Sequence, residues 1–177
     1  HLVRAASPGE IVAQRILWSV LLLGIAAAIA GKLRHIASVL RQPRSMLILV
    51  GSATMIAINW VLYVWAVNNG HVLAASLGYF LNPMVNVALG VAILGERMSK
   101  AQKIAVALAA IGVAVLASRS LEGLWISLSL ALSFGTYGLL RKIAPVEAME
   151  GLAIETLLLA PIAGLYILWL SGHGGIA

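Results

Sequence analysis

Residues 75–90 read ASLGYFLNPMVNVALG. The run is long and apolar enough to lie inside a membrane, yet it carries Ser76, Tyr79, Asn82, Pro83, Asn86 and Gly90. On a helix turning about 100° per residue these six fall within an arc of about 120°. Leu77, Leu81, Met84, Val85, Ala88 and Ala92 take the other side. Lipid offers no hydrogen bonds to an amide or a phenol, so the polar stripe must face other helices or a wet cavity. Single Asn and Ser residues often serve as glue between helices. Three large polar groups and a proline on one face suit a cavity wall better. Pro83 also lacks an N–H and frees the carbonyl one turn earlier. The stretch is read as a helix facing a substrate.

The rest of the chain agrees with a membrane setting. Of 177 residues, 62% are hydrophobic and 10% charged, against about 25% charged in a soluble domain, and mean hydropathy is +1.01. An all-α, polytopic helical membrane protein is expected. There is no cysteine and no aspartate, which removes disulfides, thiolate nucleophiles and thiolate metal sites. His1, His35, His71 and His173 fall in loops or near the termini, and His35 reads as solvated. No metal or cofactor site is expected, and an embedded enzyme would lack a nucleophile with its base. The formal charge of +6 sits in short loops between apolar runs, so membrane topology explains it and nucleic acid is not an expected partner. The chain opens on His1 with no initiator Met or cleavable signal, and is read as a fragment of a longer protein.

Six spans can be drawn, at about 11–30, 45–67, 72–94, 101–117, 121–140 and 151–170, each near the roughly 20 residues that cross a bilayer. The first follows Ser7-Pro8-Gly9-Glu10, where Ser as N-cap, Pro at the first turn and Glu make Glu10 an interfacial cap. Arg15 lies one to two turns deeper with Trp18. It either snorkels or lines the cavity and binds an anionic group. Gly31–Arg44 is expected to be a basic loop. In the second span Asn59 and Tyr63 share a face as site candidates, while Trp65 fits an interfacial belt. Asn68-Asn69-Gly70-His71 is a tight turn forcing an antiparallel hairpin. Gly95 fits a helix C-cap, and Ser99 with Gln102 the next N-cap. The small residues of the fourth span suit close packing. In the fifth span Ser129, Ser133, Thr136 and Tyr137 share a face, and Tyr137 is the stronger candidate. Glu155 is the carboxylate placed within the sixth span, with Arg15 as the first cation to consider, about 15 Å away. Nine basic residues fall on one side of the bilayer and two, Arg4 and Arg119, on the other. The basic loops are expected to be cytoplasmic, in the cell (inner or plasma) membrane.

Sliding the chain by 140 residues brings Glu10 onto Glu150, Ala13 onto Ala153 and Arg15 onto Glu155. The two spans run in opposite directions, as in inverted-repeat transporters. Gln14–Ser19, Asn59-Trp60…Tyr63…Trp65–Asn68, Ala75–Pro83, Gly95-Glu96-Arg97, Ser133–Lys142 and Ile154-Glu155-Thr156 together resemble RarD-type proteins of the EamA branch of the drug/metabolite transporter superfamily. Ala105 stands where the superfamily pattern often has Gly. The resemblance implies ten helices in two inverted five-helix repeats. On it, residues 1–120 hold most of the first repeat (its helices two to five) and 121–177 begin the second (helices six and seven). It further implies a secondary transporter moving small metabolites or drugs by alternating access. A non-transporting scaffold or assembly protein is the alternative, with an embedded enzyme behind it. The expected cavity residues are Arg15, Trp18, Asn59, Tyr63, Ser76, Tyr79, Asn82, Pro83, Asn86, Tyr137 and Glu155. The expected partners are a small-molecule substrate, the bilayer and, if transport is proton-coupled, a proton at Glu155.

Overall fold

A computed structural model describes residues 7–117 and 123–173. His1, Arg4, Arg119 and Glu122 lie outside the described residues. Seven helices are described: α1 (Pro8–Ile29), α2 (Leu33–Leu40), α3 (Pro43–Asn68), α4 (Val72–Leu94), α5 (Lys100–Ala117), α6 (Leu124–Ile143) and α7 (Ala148–Gly172). Four of them, α1, α3, α4 and α7, are long and apolar enough to cross a membrane. Each of the six drawn segments falls on a helix over its described residues, with those at 101–117 and 121–140, on α5 and α6, outside these four. The helices α1 and α7 begin three residues before the drawn starts, because their polar capping turns fall outside an apolar window.

Local chemistry sets the boundaries. Ser7 Oγ accepts from the Glu10 N–H at 3.2 Å, with Pro8 at the first helical position. Gly70 and Gly95 take φ of 82° and 67°, the left-handed region open to glycine, and so end α3's turn and α4. Ser99 and Gln102 cap α5 reciprocally, at 2.8 and 3.2 Å. The Glu147 N–H donates to Glu150 Oε2 at 3.3 Å at the head of α7.

The expected basic loop contains a helix. In α2, Ile36 and Val39 are one turn apart and buried in a cluster with Ala27, Leu49 and Ile154. Lys32, Arg34 and Arg41 then lie off this apolar face. The Lys32 ammonium bridges Glu147 at 2.7 Å and Glu150 at 3.3 Å, and those hydrogen bonds hold its pKa above the ordinary lysine value. His35 is exposed but not merely solvated, since Nδ1 sits 3.0 Å from Glu150 Oε2.

In space the helices neighbour one another in the order α5, α4, α6, α3, α7, α1, with α1 also meeting α3. The pair α1 and α7 is antiparallel: Ser7 Oγ lies 3.1 Å from Tyr166 OH, and Ala27 meets Ile154 in one cluster. Glu10 and Glu150 are each the third residue of their helix and each buried, so the 140-residue correspondence is also a geometric one. The Glu10 side chain packs inside the protein, with Oε1 buried and without a hydrogen bond.

The α3–α4 turn forms, but α4 leans chiefly on α6 rather than along α3. Glycine explains why. Gly78 lies against Leu130 and the Ser127 carbonyl, and Gly135 against Val85 and Leu89, which lets the two backbones approach. Ser127 Oγ then donates to the Ala74 carbonyl at 2.7 Å. Trp65 belongs to this corner too, stacked on His71 and beside Trp125. The small residues Ala105, Ala109 and Gly112 of α5 line grooves against α4 instead of closing a tight contact.

A methyl on Gly135 would lie 2.5 Å from Val85 Cγ1. Gly135→Ala gains up to about 1 kcal/mol in helix propensity but overpacks the contact by about 1–3 kcal/mol. Net destabilisation is expected in denaturant unfolding of the detergent-solubilised protein, and adding Val85→Ala should restore most of it. An unchanged or raised midpoint for Gly135→Ala alone would refute the close α4–α6 approach.

Candidate functional site

The polar stripe of α4 divides among three neighbours. Leu77 and Leu81, on the opposite face, are buried. Asn82 borders that face; it is only 8% exposed, with Oδ1 unbonded. Ser76 and Pro83 lie at the other edge. Ser76 Oγ donates back to the Val72 carbonyl at 2.9 Å and edges a groove shared with Gly123 and Ser127. Pro83 is exposed and lines a cavity of about 290 Å³ with Met84, Val87 and α5. Asn86 is exposed and lies over Gly138, whose added methyl would meet Asn86 Oδ1 at 3.1 Å.

The middle of the stripe, Tyr79, meets α3 at Tyr63. The Tyr63 and Tyr79 rings pack edge to face with centroids 5.4 Å apart. The Arg15 guanidinium stands 5.3 Å from the centre of the Trp60 ring, and Trp60 is less than a turn from Tyr63. Arg15 is also close enough to act electrostatically on Tyr79. One cation and three aromatic rings from α1, α3 and α4 therefore converge. Tyr79 is 50% exposed and Trp18, one turn beyond Arg15, is 63% exposed. Arg15 has no carboxylate within ion-pair distance among the described residues. Trp60 is not among the expected cavity residues, and its i, i+3 spacing to Tyr63 was the available signal.

Asn59 is not part of this wall. It is buried, and Nδ2 donates to the Leu130 carbonyl at 2.9 Å and to Ser133 Oγ at 3.0 Å. Its amide pins α3 to α6, because both acceptors belong to α6 and no face is left open. Ser133, which shared a face with Tyr137 in the sequence, is used up in the same contact.

Glu155 forms a second cluster where α3, α6 and α7 meet, and its side chain has no exposed surface. Ser52 Oγ donates to Oε1 at 2.6 Å. The Tyr137 hydroxyl donates to Oε2 at 3.4 Å, and Arg141 Nε lies 3.6 Å from Oε1. The cation beside Glu155 is Arg141, which sequence reasoning left among the loop charges; Arg15 had been placed too far away for a direct pair. Arg141 crosses the head of α7, where Nη2 donates to the carbonyls of Glu147 and Ala148 at 3.2 and 3.0 Å. It passes directly over Gly151, and any added Cβ there would collide with the guanidinium. That glycine, one turn before Glu155, was the readable sign of a side chain crossing. Ser52 carried no such sign. Among the described residues no three His or Glu side chains are placed to hold a metal.

The sequence profile of the EamA-like transporter family matches residues 1–118. Protein RarD of Streptomyces exfoliatus is 44% identical over 98% of this chain and 55% of its own length. An uncharacterized transporter of Pseudomonas aeruginosa is 48% identical over 90% of the chain and 54% of its length. Protein RarD of Escherichia coli is 42% identical over 89% of the chain and 53% of its length. The chain thus spans about half the length of the curated relatives it matches. No solved structure matches it.

Gly151→Ala should displace Arg141 from Glu155 and destabilise the protein by about 3 kcal/mol, the usual cost of stripping one partner from a buried charge. Thermal unfolding in detergent checks this; a midpoint within 1 °C of wild type would show that Arg141 does not cross there. On α4, cysteine at Tyr79 or Asn86 should react with a small aqueous thiol reagent in the intact membrane protein, and cysteine at Leu81 should not. Equal labelling at all three would remove the distinction between the faces.

Proposed function

Since the chain belongs to the EamA-like transporter family, we propose that it supplies part of a secondary transporter that carries small metabolites or drugs through a midplane cavity by alternating access. The observation that supports this most is the convergence of Arg15, Trp60, Tyr63 and Tyr79 from three helices of an all-helical membrane protein. A charged group at membrane depth is costly unless it pairs, snorkels or faces a water-filled cavity. The geometric pairing of α1 with α7 as antiparallel counterparts suits an inverted repeat. In this proposal residues 1–120 carry helices two to five of the first repeat, and 121–177 begin the second. The protein lies in the inner or plasma membrane with its basic loops in the cytoplasm, its partners are the bilayer and a small solute, and it performs no bond-making chemistry.

Glu155 is the proposed proton-coupling group. A carboxylate without exposed surface, held by one hydroxyl at 2.6 Å and an arginine at 3.6 Å, is sensitive to any movement of α6 against α7.

The test is flux in proteoliposomes of the full-length protein, loaded with a cellular metabolite extract and read by mass spectrometry. At least one small solute should cross faster than in protein-free vesicles under a pH gradient. Glu155→Gln should abolish the pH-driven component and leave exchange at equal pH largely intact. No protein-dependent flux of any solute would overturn the transporter; full pH-driven flux in Glu155→Gln would move coupling elsewhere.

A further inference from the structure

The Arg15 cluster is specific enough in chemistry to name a class of ligand. Arg15 stands about two turns into α1 on its exposed side, while its neighbours Val12 and Ile16 are buried. Its contact is the face of Trp60, with the guanidinium carbon 5.3 Å from the ring centre. A cation–π contact of this kind leaves the guanidinium's five N–H donors free of a carboxylate. The other polar groups at Tyr79's end of the cluster are neutral: the phenols of Tyr63 and Tyr79, and Asn82 one turn on. Asn82 is nine-tenths buried with an unbonded Oδ1. The charges nearest in sequence on α1, Glu10 and Lys32, lie at its two ends. The Glu155–Arg141 pair joins α6 to α7, a separate cluster.

Two physical requirements follow. An arginine held at membrane depth on an aromatic face calls for an anion, and a planar carboxylate can take two of its N–H groups at once. The Trp60, Tyr63 and Tyr79 rings call for a flat apolar body that stacks or meets them edge-on. We propose that Arg15, Trp60, Tyr63 and Tyr79 form the binding site for a planar aromatic carboxylate, with Arg15 holding the carboxylate and the rings holding the body. This deepens the transporter reading and rests on it for the site's purpose, but binding alone can be tested without transport.

The probe is 2-naphthoate, with 2-naphthamide as its uncharged counterpart of nearly the same shape. Each is titrated into the detergent-solubilised full-length protein, and binding is read by saturable quenching of tryptophan fluorescence and by the shift in unfolding midpoint. Naphthoate should bind at least tenfold tighter than naphthamide. Arg15→Gln should erase that ratio while leaving naphthamide binding unchanged, and Arg15→Lys should keep part of it. Tyr79→Leu should weaken both ligands together. If Arg15→Gln unfolds, the naphthoate-to-naphthamide ratio in wild type and in Tyr79→Leu still decides the question. Equal affinity for the two ligands in wild type, or an undiminished ratio in Arg15→Gln, overturns the proposal. Flux of uncharged solutes with no naphthoate preference would refute the anion site and leave the transporter standing. A naphthoate preference without any flux would do the reverse.

Discussion

Glu155 withdraws a carboxylate from water at the point where α3, α6 and α7 meet, and much of the fold is arranged around that act. A buried charge costs several kcal/mol unless it is paired and hydrogen-bonded. Its three partners come from two other helices: Ser52 from α3, Tyr137 and Arg141 from α6. To reach it, Arg141 must cross the first turn of α7, which only Gly151 permits. The crossing also places Arg141 Nη2 on two carbonyls at the head of α7. One carboxylate therefore sets the mutual position of three helices near one end of the bundle.

From that junction the wall of the proposed cavity follows by packing. The central helix α3 is pinned to α6 a second time by Asn59, and α6 holds α4 through Gly78, Gly135 and Ser127. On the other side α7 carries α1 as its antiparallel counterpart. Tyr79 on α4 and Arg15 on α1 then meet Tyr63 and Trp60 on α3. The rings and the guanidinium are thus brought together by helices whose spacing is fixed elsewhere, with small residues and neutral hydrogen bonds in the contacts. That division suits the proposed site, whose ligand groups would stay unsatisfied until a solute arrives.

The fold was legible because membrane spans announce themselves by length and apolarity, and because capping chemistry is local. Ser7, Gly95, Ser99 and Gln102 act as their sequence positions suggest. The apolar side of α4 was legible at Leu77 and Leu81 for the same reason, since helical period alone assigns them. Roles set between helices were harder to see. Asn59 reads like Tyr63 on a helical wheel, and only the position of Leu130 and Ser133 on α6 makes it a structural pin. Arg141 follows a span as loop cations do, and its pairing with Glu155 depends on the absence of a side chain at Gly151. The α2 helix was hidden by its basic residues, because an eight-residue segment shows little more than two turns of apolar period.

The claim on which the rest stands is that Arg141 and Glu155 act as one buried pair. A double-mutant cycle of Arg141→Met and Glu155→Leu, read by reversible unfolding of the detergent-solubilised protein, measures it directly. Each single substitution should cost about 3–5 kcal/mol by leaving the other charge uncompensated. The double variant should then lose at least about 2 kcal/mol less than the sum of the two single losses. Additivity within about 0.5 kcal/mol would mean that the two side chains do not depend on each other, and the junction would have to be held by other contacts.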